Sequence, residues 1–141
     1  MSDERLFLDT VFIQALLNKR DQYHGIARAF VPRVRAAAAV WVTEAVLVEV
    51  GNALGAVNRP AAVQFIQQCY RTANLQVVMV DTPLLTRALQ LYSERPDKTW
   101  GLTDCISFVV MWEQGLTDAV TADMHFVQAS FRALLPESLT R

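Results

Sequence analysis

Short apolar runs, each ended by a polar or acidic residue, alternate along this chain with longer stretches whose apolar side chains recur at helical spacing. Arg5–Leu8 runs into Asp9, and Phe12, Ile13, Leu16 and Leu17 follow at three- and four-residue intervals. Gln22–Ala39, rich in Ala and Arg, reads as a second helix broken at Pro32. Ala39–Val42 is a short buried strand, and Thr43 follows as an N-cap. Val46, Val50, Ala53, Leu54 and Val57 then make one apolar stripe over a helix from Thr43 to Val57. Pro60 opens another helix that ends near Arg71, and Gln76–Val80 is strand-like. Asp81-Thr82-Pro83 starts a helix running to Tyr92, followed by a polar loop over Glu94–Gly101. Leu102–Gln114 is a strongly apolar helix closed by Gly115. Asp118–Thr121 reads as a strand, Asp123–Ala129 as a helical turn and Arg132–Leu135 as a last edge strand. This alternation predicts an α/β domain with a mostly parallel central sheet flanked by helices. Open sheets of this kind carry their sites just past the carboxyl ends of strands.

The 141 residues suit a single domain over 1–141, with no linker, repeat or low-complexity tract. A hydrophobic share of 52% is enough for a core with apolar surface left for a partner, and it excludes disorder. The longest apolar runs, Ala36–Val42 and Phe108–Trp112, are far shorter than the roughly 18 residues of a membrane span. Met1-Ser2-Asp3-Glu4 is acidic where a signal peptide would be basic. With only Cys69 and Cys105, a reducing cytoplasmic setting is expected rather than a disulfide framework. The net charge of −1 offers nucleic acid no general electrostatic grip. Phosphate chemistry on this chain would need a local device such as a metal ion.

Four carboxylates draw attention. Asp9 ends the first strand, Asp104 opens the Leu102–Gln114 helix, and Asp123 follows the Asp118–Thr121 strand. Glu49 lies inside a helix, about 40° from Ala53 and about 60° from Val46 at 100° per residue. It therefore borders the apolar stripe, with Glu44 on the opposite side. A carboxylate there needs a partner, either an arginine or a site. Taken singly, Asp9, Asp104 and Asp123 also fit as helix caps, and Asp81 keeps that role. Taken together, three strand-end acids in a parallel sheet converge on one edge. Four carboxylates there raise one another's pKa unless a cation sits among them. Oxygen donors without Cys or paired His suit Mg²⁺ or Mn²⁺ rather than zinc.

These acids lie in four stretches: Phe7-Leu8-Asp9-Thr10, Thr43-Glu44-Ala45-Val46-Leu47-Val48-Glu49, Gly101-Leu102-Thr103-Asp104-Cys105-Ile106-Ser107-Phe108 and Thr121-Ala122-Asp123-Met124-His125-Phe126. In order and spacing, over nearly the whole chain, they resemble a PIN-domain ribonuclease of the kind found as the VapC toxin of type II toxin–antitoxin pairs. The resemblance implies a single PIN-like domain and an acidic quartet of Asp9, Glu49, Asp104 and Asp123. It further implies a Mg²⁺- or Mn²⁺-dependent endoribonuclease acting on tRNA or rRNA, a homodimer, and a cognate antitoxin whose tail covers the cleft. Asp9 and Asp104 are then direct ligands, and Glu49 and Asp123 complete the shell or hold waters. Glu49 is alternatively the base that orients the attacking water.

The neighbours of the quartet have two roles open. Thr10 and Thr103 either orient the ligands or cap helices, and Ser107 either bonds a metal water or its own backbone. Asn52, one turn from Glu49, either tethers it or is solvated. His125 is expected to be a structural histidine bonded to the backbone, and Cys105 an inert buried thiol. Lys98 and Arg95 are candidates for RNA phosphates and Trp100 for stacking on a base; a solvated loop and a packing anchor are the plainer roles. The stretch Arg28–Ala39 is a candidate contact for antitoxin or a second copy, or packs internally. A dehalogenase-type phosphatase is disfavoured because Val11 stands where its second Asp belongs. For a phospho-receiver, Asp3 and Glu4 come too early. The remaining alternatives are an interaction module and a PIN nuclease without a toxin role.

Overall fold

The computed structural model describes residues 2–135. Its strands are β1 (Arg5–Leu8), β2 (Ala39–Thr43), β3 (Leu75–Val78), β4 (Asp118–Val120) and β5 (Arg132–Ala133). They form one five-stranded sheet in the order β3-β2-β1-β4-β5, and every neighbouring pair is parallel. The helices are α1 (Thr10–Leu17), α2 (His24–Ala36), α3 (Glu44–Leu54), α4 (Arg59–Arg71), α5 (Thr82–Glu94), α6 (Leu102–Glu113) and α7 (Met124–Gln128). The predicted α/β architecture is therefore present, with a sheet that is parallel throughout.

The central place of β1 follows from its composition. Leu6, Phe7 and Leu8 are all buried, so both faces of the strand are covered, as in parallel sheets sandwiched between helices. The edge strand β3 is only half-buried. Residues Cys105–Met111 of α6 are buried all round, which makes this helix a core element rather than an amphipathic cover. Phe108 stands at the centre of an aromatic cluster. Its ring lies 5.0 Å from both Trp100 and Phe126, each edge-on, and 5.6 Å from Phe131. The cluster ties the loop before α6, the helix α7 and the segment leading into β5 to a residue one turn beyond Asp104.

Local signals set most of the boundaries. Thr43 Oγ1 accepts the Val46 N–H at the start of α3, and Asp81 Oδ1 accepts that of Leu84 at the start of α5. Gly115, at φ +66°, lets the chain leave α6 in a conformation that costs other residues strain. Some expectations are corrected. Pro32 does not break α2, which runs through it. The carbonyl that Pro32 leaves without a donor belongs to Arg28, and both residues are on the exposed face, where solvent can satisfy it. The third helix stops at Leu54, and Val57 is exposed in a turn. The last strand covers only Arg132–Ala133 of the expected Arg132–Leu135.

Because Phe108 holds these segments on the helix that carries Asp104, Phe108→Ala should cost about 3–5 kcal/mol. Phe108→Leu should cost under about 1.5 kcal/mol. Urea denaturation measures both; equal midpoints for the two variants would mean that aliphatic volume at this position restores none of the lost stability.

Candidate functional site

The site is assembled at the carboxyl ends of the neighbouring strands β1 and β4. Leu8 is in register with Val120, so the next residues, Asp9 and Thr121, lie side by side past the sheet edge. Asp9 is 3% exposed and Thr121 is fully buried. The Thr121 hydroxyl donates to Asp9 Oδ2 at 2.7 Å and accepts the Asp123 N–H at 3.0 Å. One side chain thus holds the acid of β1 and the backbone of the acid after β4. Asp9 itself makes no side-chain cap bond to α1, although it occupies the N-cap position.

Asp104 reaches the same place from the first turn of α6. Its Oδ2 accepts the Gly101 N–H at 3.1 Å and faces His125 Nδ1 at 2.8 Å. An ionised carboxylate only accepts, so Nδ1 carries the proton and donates. His125 Nε2 then pairs with Thr99 Oγ1 at 3.1 Å. The imidazole is a brace on Asp104 rather than a ligand, because the nitrogen nearest the acids is occupied by its proton. Asp123 Oδ1 caps α7 by accepting the His125 N–H at 2.9 Å. Donor atoms of Asp104, Asp123 and His125 all lie within 4.8 Å of one another.

Crowding of acids shows in their proton affinity. Burial pushes Asp9 up to about 7; the charges of Asp104 and Asp123 add to this, against hydrogen bonds from Thr121 and the Thr10 backbone. Asp104 is raised too, by burial first and then by Asp123, against bonds from Gly101 and His125. Beside Asp9, Thr10 Oγ1 is buried without a hydrogen-bond partner. Buried, mutually repelling carboxylates next to an orphaned hydroxyl fit a hard divalent cation with oxygen ligands.

Glu49 is placed differently from the acids it was grouped with. Ala53, counted in the apolar stripe, is exposed; the buried face of α3 is Val46, Leu47, Val50 and Leu54. Glu49 is therefore exposed and needs no buried partner. It makes no hydrogen bond or ion pair among the described residues. Its helix packs against α1, which begins beside Asp9, and against α6, which carries Asp104. Asn52 is exposed as well and does not bond Glu49. Ser107 donates to the Thr103 carbonyl at 3.1 Å, the backbone role; Thr103 is half-buried.

In the loop before α6, Trp100 is the packing anchor. It is 5% exposed, and its Nε1 donates to Gln128 at 3.0 Å. Arg95 forms a two-pronged pair with Asp97 at 3.0 Å and lies over the Trp100 ring, while Lys98 is half-buried without an ion pair among the described residues. Cys105 is fully buried, its thiol pushed up to about 11, chiefly by burial. His125 and Thr121 are the residues that sequence reasoning undervalued. Their signal was position alone, two residues either side of Asp123.

A description of the PIN domain matches residues 6–132 of the chain. Among solved structures, the chain is similar to VapC20 of Mycobacterium tuberculosis, described as a Sarcin-Ricin loop cleaving toxin. The two share 26% identity and a TM-score of 0.81 over 89% of this chain and 95% of that one. VapBC2 of Rickettsia felis, bound to a DNA fragment from its promoter, shares the fold at 12% identity and a TM-score of 0.63, over 92% and 97%. FitAcB of Neisseria gonorrhoeae does so at 15% and 0.61, over 91% and 94%. No curated protein sequence matches the chain.

The Asp9 shift has a definite sign in the metal-free protein. Its folded value, about 7, lies above the ordinary 3.8, so between these values the folded chain keeps a proton that the unfolded chain releases. Stability should therefore fall as pH rises through that window and level off above about 7. Asp104 acts in the same direction. In EDTA, the urea midpoint of Asp9→Asn should gain on wild type between about pH 5 and pH 8. A constant difference would show that Asp9 ionises as if exposed.

Proposed function

Because the chain belongs to the PIN-domain family, we propose that it is a divalent-metal-dependent endoribonuclease of the VapC toxin type. The observation that carries this reading is the convergence of Asp9, Asp104 and Asp123, from three separate segments, on one strand-end edge where their charge is uncompensated. Asp9 and Asp104 are the direct ligands of Mg²⁺ or Mn²⁺, and Asp123 and Glu49 complete the shell. A bound ion supplies positive charge for phosphate oxygens and makes water more acidic. The protein's own groups do the rest. Thr121 fixes the orientation of Asp9, and His125 fixes that of Asp104. Exposed and unpaired, Glu49 is available to accept a proton from the attacking water. Thr10 lends its free hydroxyl to the shell beside Asp9.

The substrate we propose is structured RNA of the tRNA or rRNA class, in keeping with the target in the description of VapC20. Lys98 is the stronger phosphate contact in the loop, since Arg95 is engaged with Asp97. We further propose a cognate antitoxin, in keeping with the likeness to VapBC2 and FitAcB, and, as part of the VapC-type reading, a homodimer and a cytoplasmic setting. No helix among the described residues is long and apolar enough to cross a membrane. The outer face of α2, with Arg28 and Arg35 exposed, is the surface we assign to antitoxin or the second copy; its inner residues Ala27 and Phe30 pack internally.

Purified protein should cut end-labelled tRNA or rRNA into discrete fragments with Mn²⁺ or Mg²⁺ and not with EDTA. Asp9→Asn and Asp104→Asn should each lose at least about a hundredfold in rate, and Thr121→Val about 10- to 100-fold, the usual cost of a lost ligand orienter. Cleavage that survives both aspartate substitutions would return these acids to the role of helix caps in an interaction module.

Millimolar Mg²⁺ or Mn²⁺ should also raise the thermal midpoint of wild type, because the ion binds only the folded form. Asp9→Asn should lose most of that gain in a melt followed by circular dichroism. In cells, induction should arrest growth and co-expression of an antitoxin should relieve the arrest; cleavage without arrest would indicate a PIN nuclease that is not a toxin.

A further inference from the structure

A cavity of about 650 Å³ opens between the last turns of α5 and the loop that leads into α6. Leu89 and Tyr92 line it from α5, and Arg95, Lys98, Thr99 and Trp100 from the loop. Trp100 is buried, whereas Tyr92, on the same lining, is 49% exposed. The cavity is joined to the acidic cluster by two consecutive hydrogen bonds. Thr99, on its lining, bonds His125 Nε2, and His125 Nδ1 bonds Asp104.

The charges around the cavity are unequal in availability. Arg95 is committed to Asp97 and stacked over Trp100, its guanidinium 5.1 Å from the ring centroid. Lys98 has no ion pair among the described residues. An aromatic, apolar recess with a cation at its lip, whose nearest acid, Asp97, is hydrogen-bonded to Arg95 instead, matches an unstacked base attached to a phosphate. A lipid chain or a purely apolar helix would itself offer Lys98 no anion.

We propose that this cavity is a base-binding subsite, which takes one unstacked nucleobase of the RNA strand beside the bond cut at the acidic cluster. It rests on the nuclease reading above and deepens it. Tyr92 supplies the stacking face, Lys98 holds the adjoining phosphate, and Thr99 transmits occupancy of the subsite to the brace on Asp104. Trp100, for which the sequence left stacking and anchoring open, is buried, and Tyr92 is the exposed ring on the lining.

The test separates binding from cleavage. A short fluorescein-labelled single-stranded RNA and an abasic strand of the same length are titrated in EDTA against wild type, Tyr92→Ala, Tyr92→Phe and Lys98→Ala, by fluorescence anisotropy. Tyr92→Ala should bind RNA about tenfold more weakly and the abasic strand unchanged, and Tyr92→Phe should restore RNA binding. Lys98→Ala should weaken both strands alike and lower the salt slope by about 1. Wild-type affinity for RNA in Tyr92→Ala would overturn the subsite. So would a change in sedimenting mass in that variant without loss of RNA binding, which would assign the cavity to contact between copies. Tyr92-dependent RNA binding without cleavage under any metal would sink the nuclease reading and keep the subsite. Cleavage by Tyr92→Ala at the same positions with the same KM would do the reverse.

Discussion

The hydrogen bond from Thr121 to Asp9 joins the two strand ends on which the rest of the site is built. Asp9 is a carboxylate at the end of the central strand, with almost no access to solvent. Burial alone disfavours its charge, and two further carboxylates face it. The Thr121 hydroxyl and the Thr10 backbone N–H together do not offset both effects. The arrangement is stable with a proton on Asp9 or with a cation beside it. The parallel pairing of β1 with β4 imposes that constraint.

Around that centre the braces come from residues that do not belong to the acidic set. Thr121 serves Asp9 and Asp123 together. His125 serves Asp104 through its ring and Asp123 through its backbone N–H. The aromatic cluster on Phe108 then fixes the α6 turn, the preceding loop and α7 relative to one another. Position is set by packing one turn away from the acids, so the charged groups themselves carry little of the folding. The same cluster supplies part of the lining of the cavity beside Asp104, which couples the shape of that recess to the acid's orientation.

The order of strands and helices, the end of β1 at Asp9 and the caps at Thr43 and Asp81 were legible in the sequence. Each depends on residues close in the chain: apolar period, side-chain hydrogen bonds over three residues, and a glycine that can take positive φ. Two of the acids, Asp9 and Asp123, were legible for a related reason, since parallel strands end on the same edge; Asp104 reaches that edge from the first turn of α6. Solvent position was not legible. Glu49 was placed by helical angle at the margin of an apolar stripe, but the stripe's own edge is settled by what packs on α3, and Ala53 turned out to be outside it. Pro32 was read as a break because its local cost is real; the orphaned carbonyl is tolerable only because it faces outward.

The sequence by itself determined the α/β class, the order of the elements and the placement of Asp9 and Asp123 after strands, because local hydrogen bonding and hydrophobic period specify them. The tertiary structure decided which of the acids crowd together, which ring near them is buried and which free, and that His125 and Thr121 hold the carboxylates. Those outcomes depend on contacts across large separations in the chain, such as Thr121 with Asp9 and Trp100 with Gln128. No local pattern records such contacts, since burial and charge coupling come into being only when the sheet has brought its strands side by side.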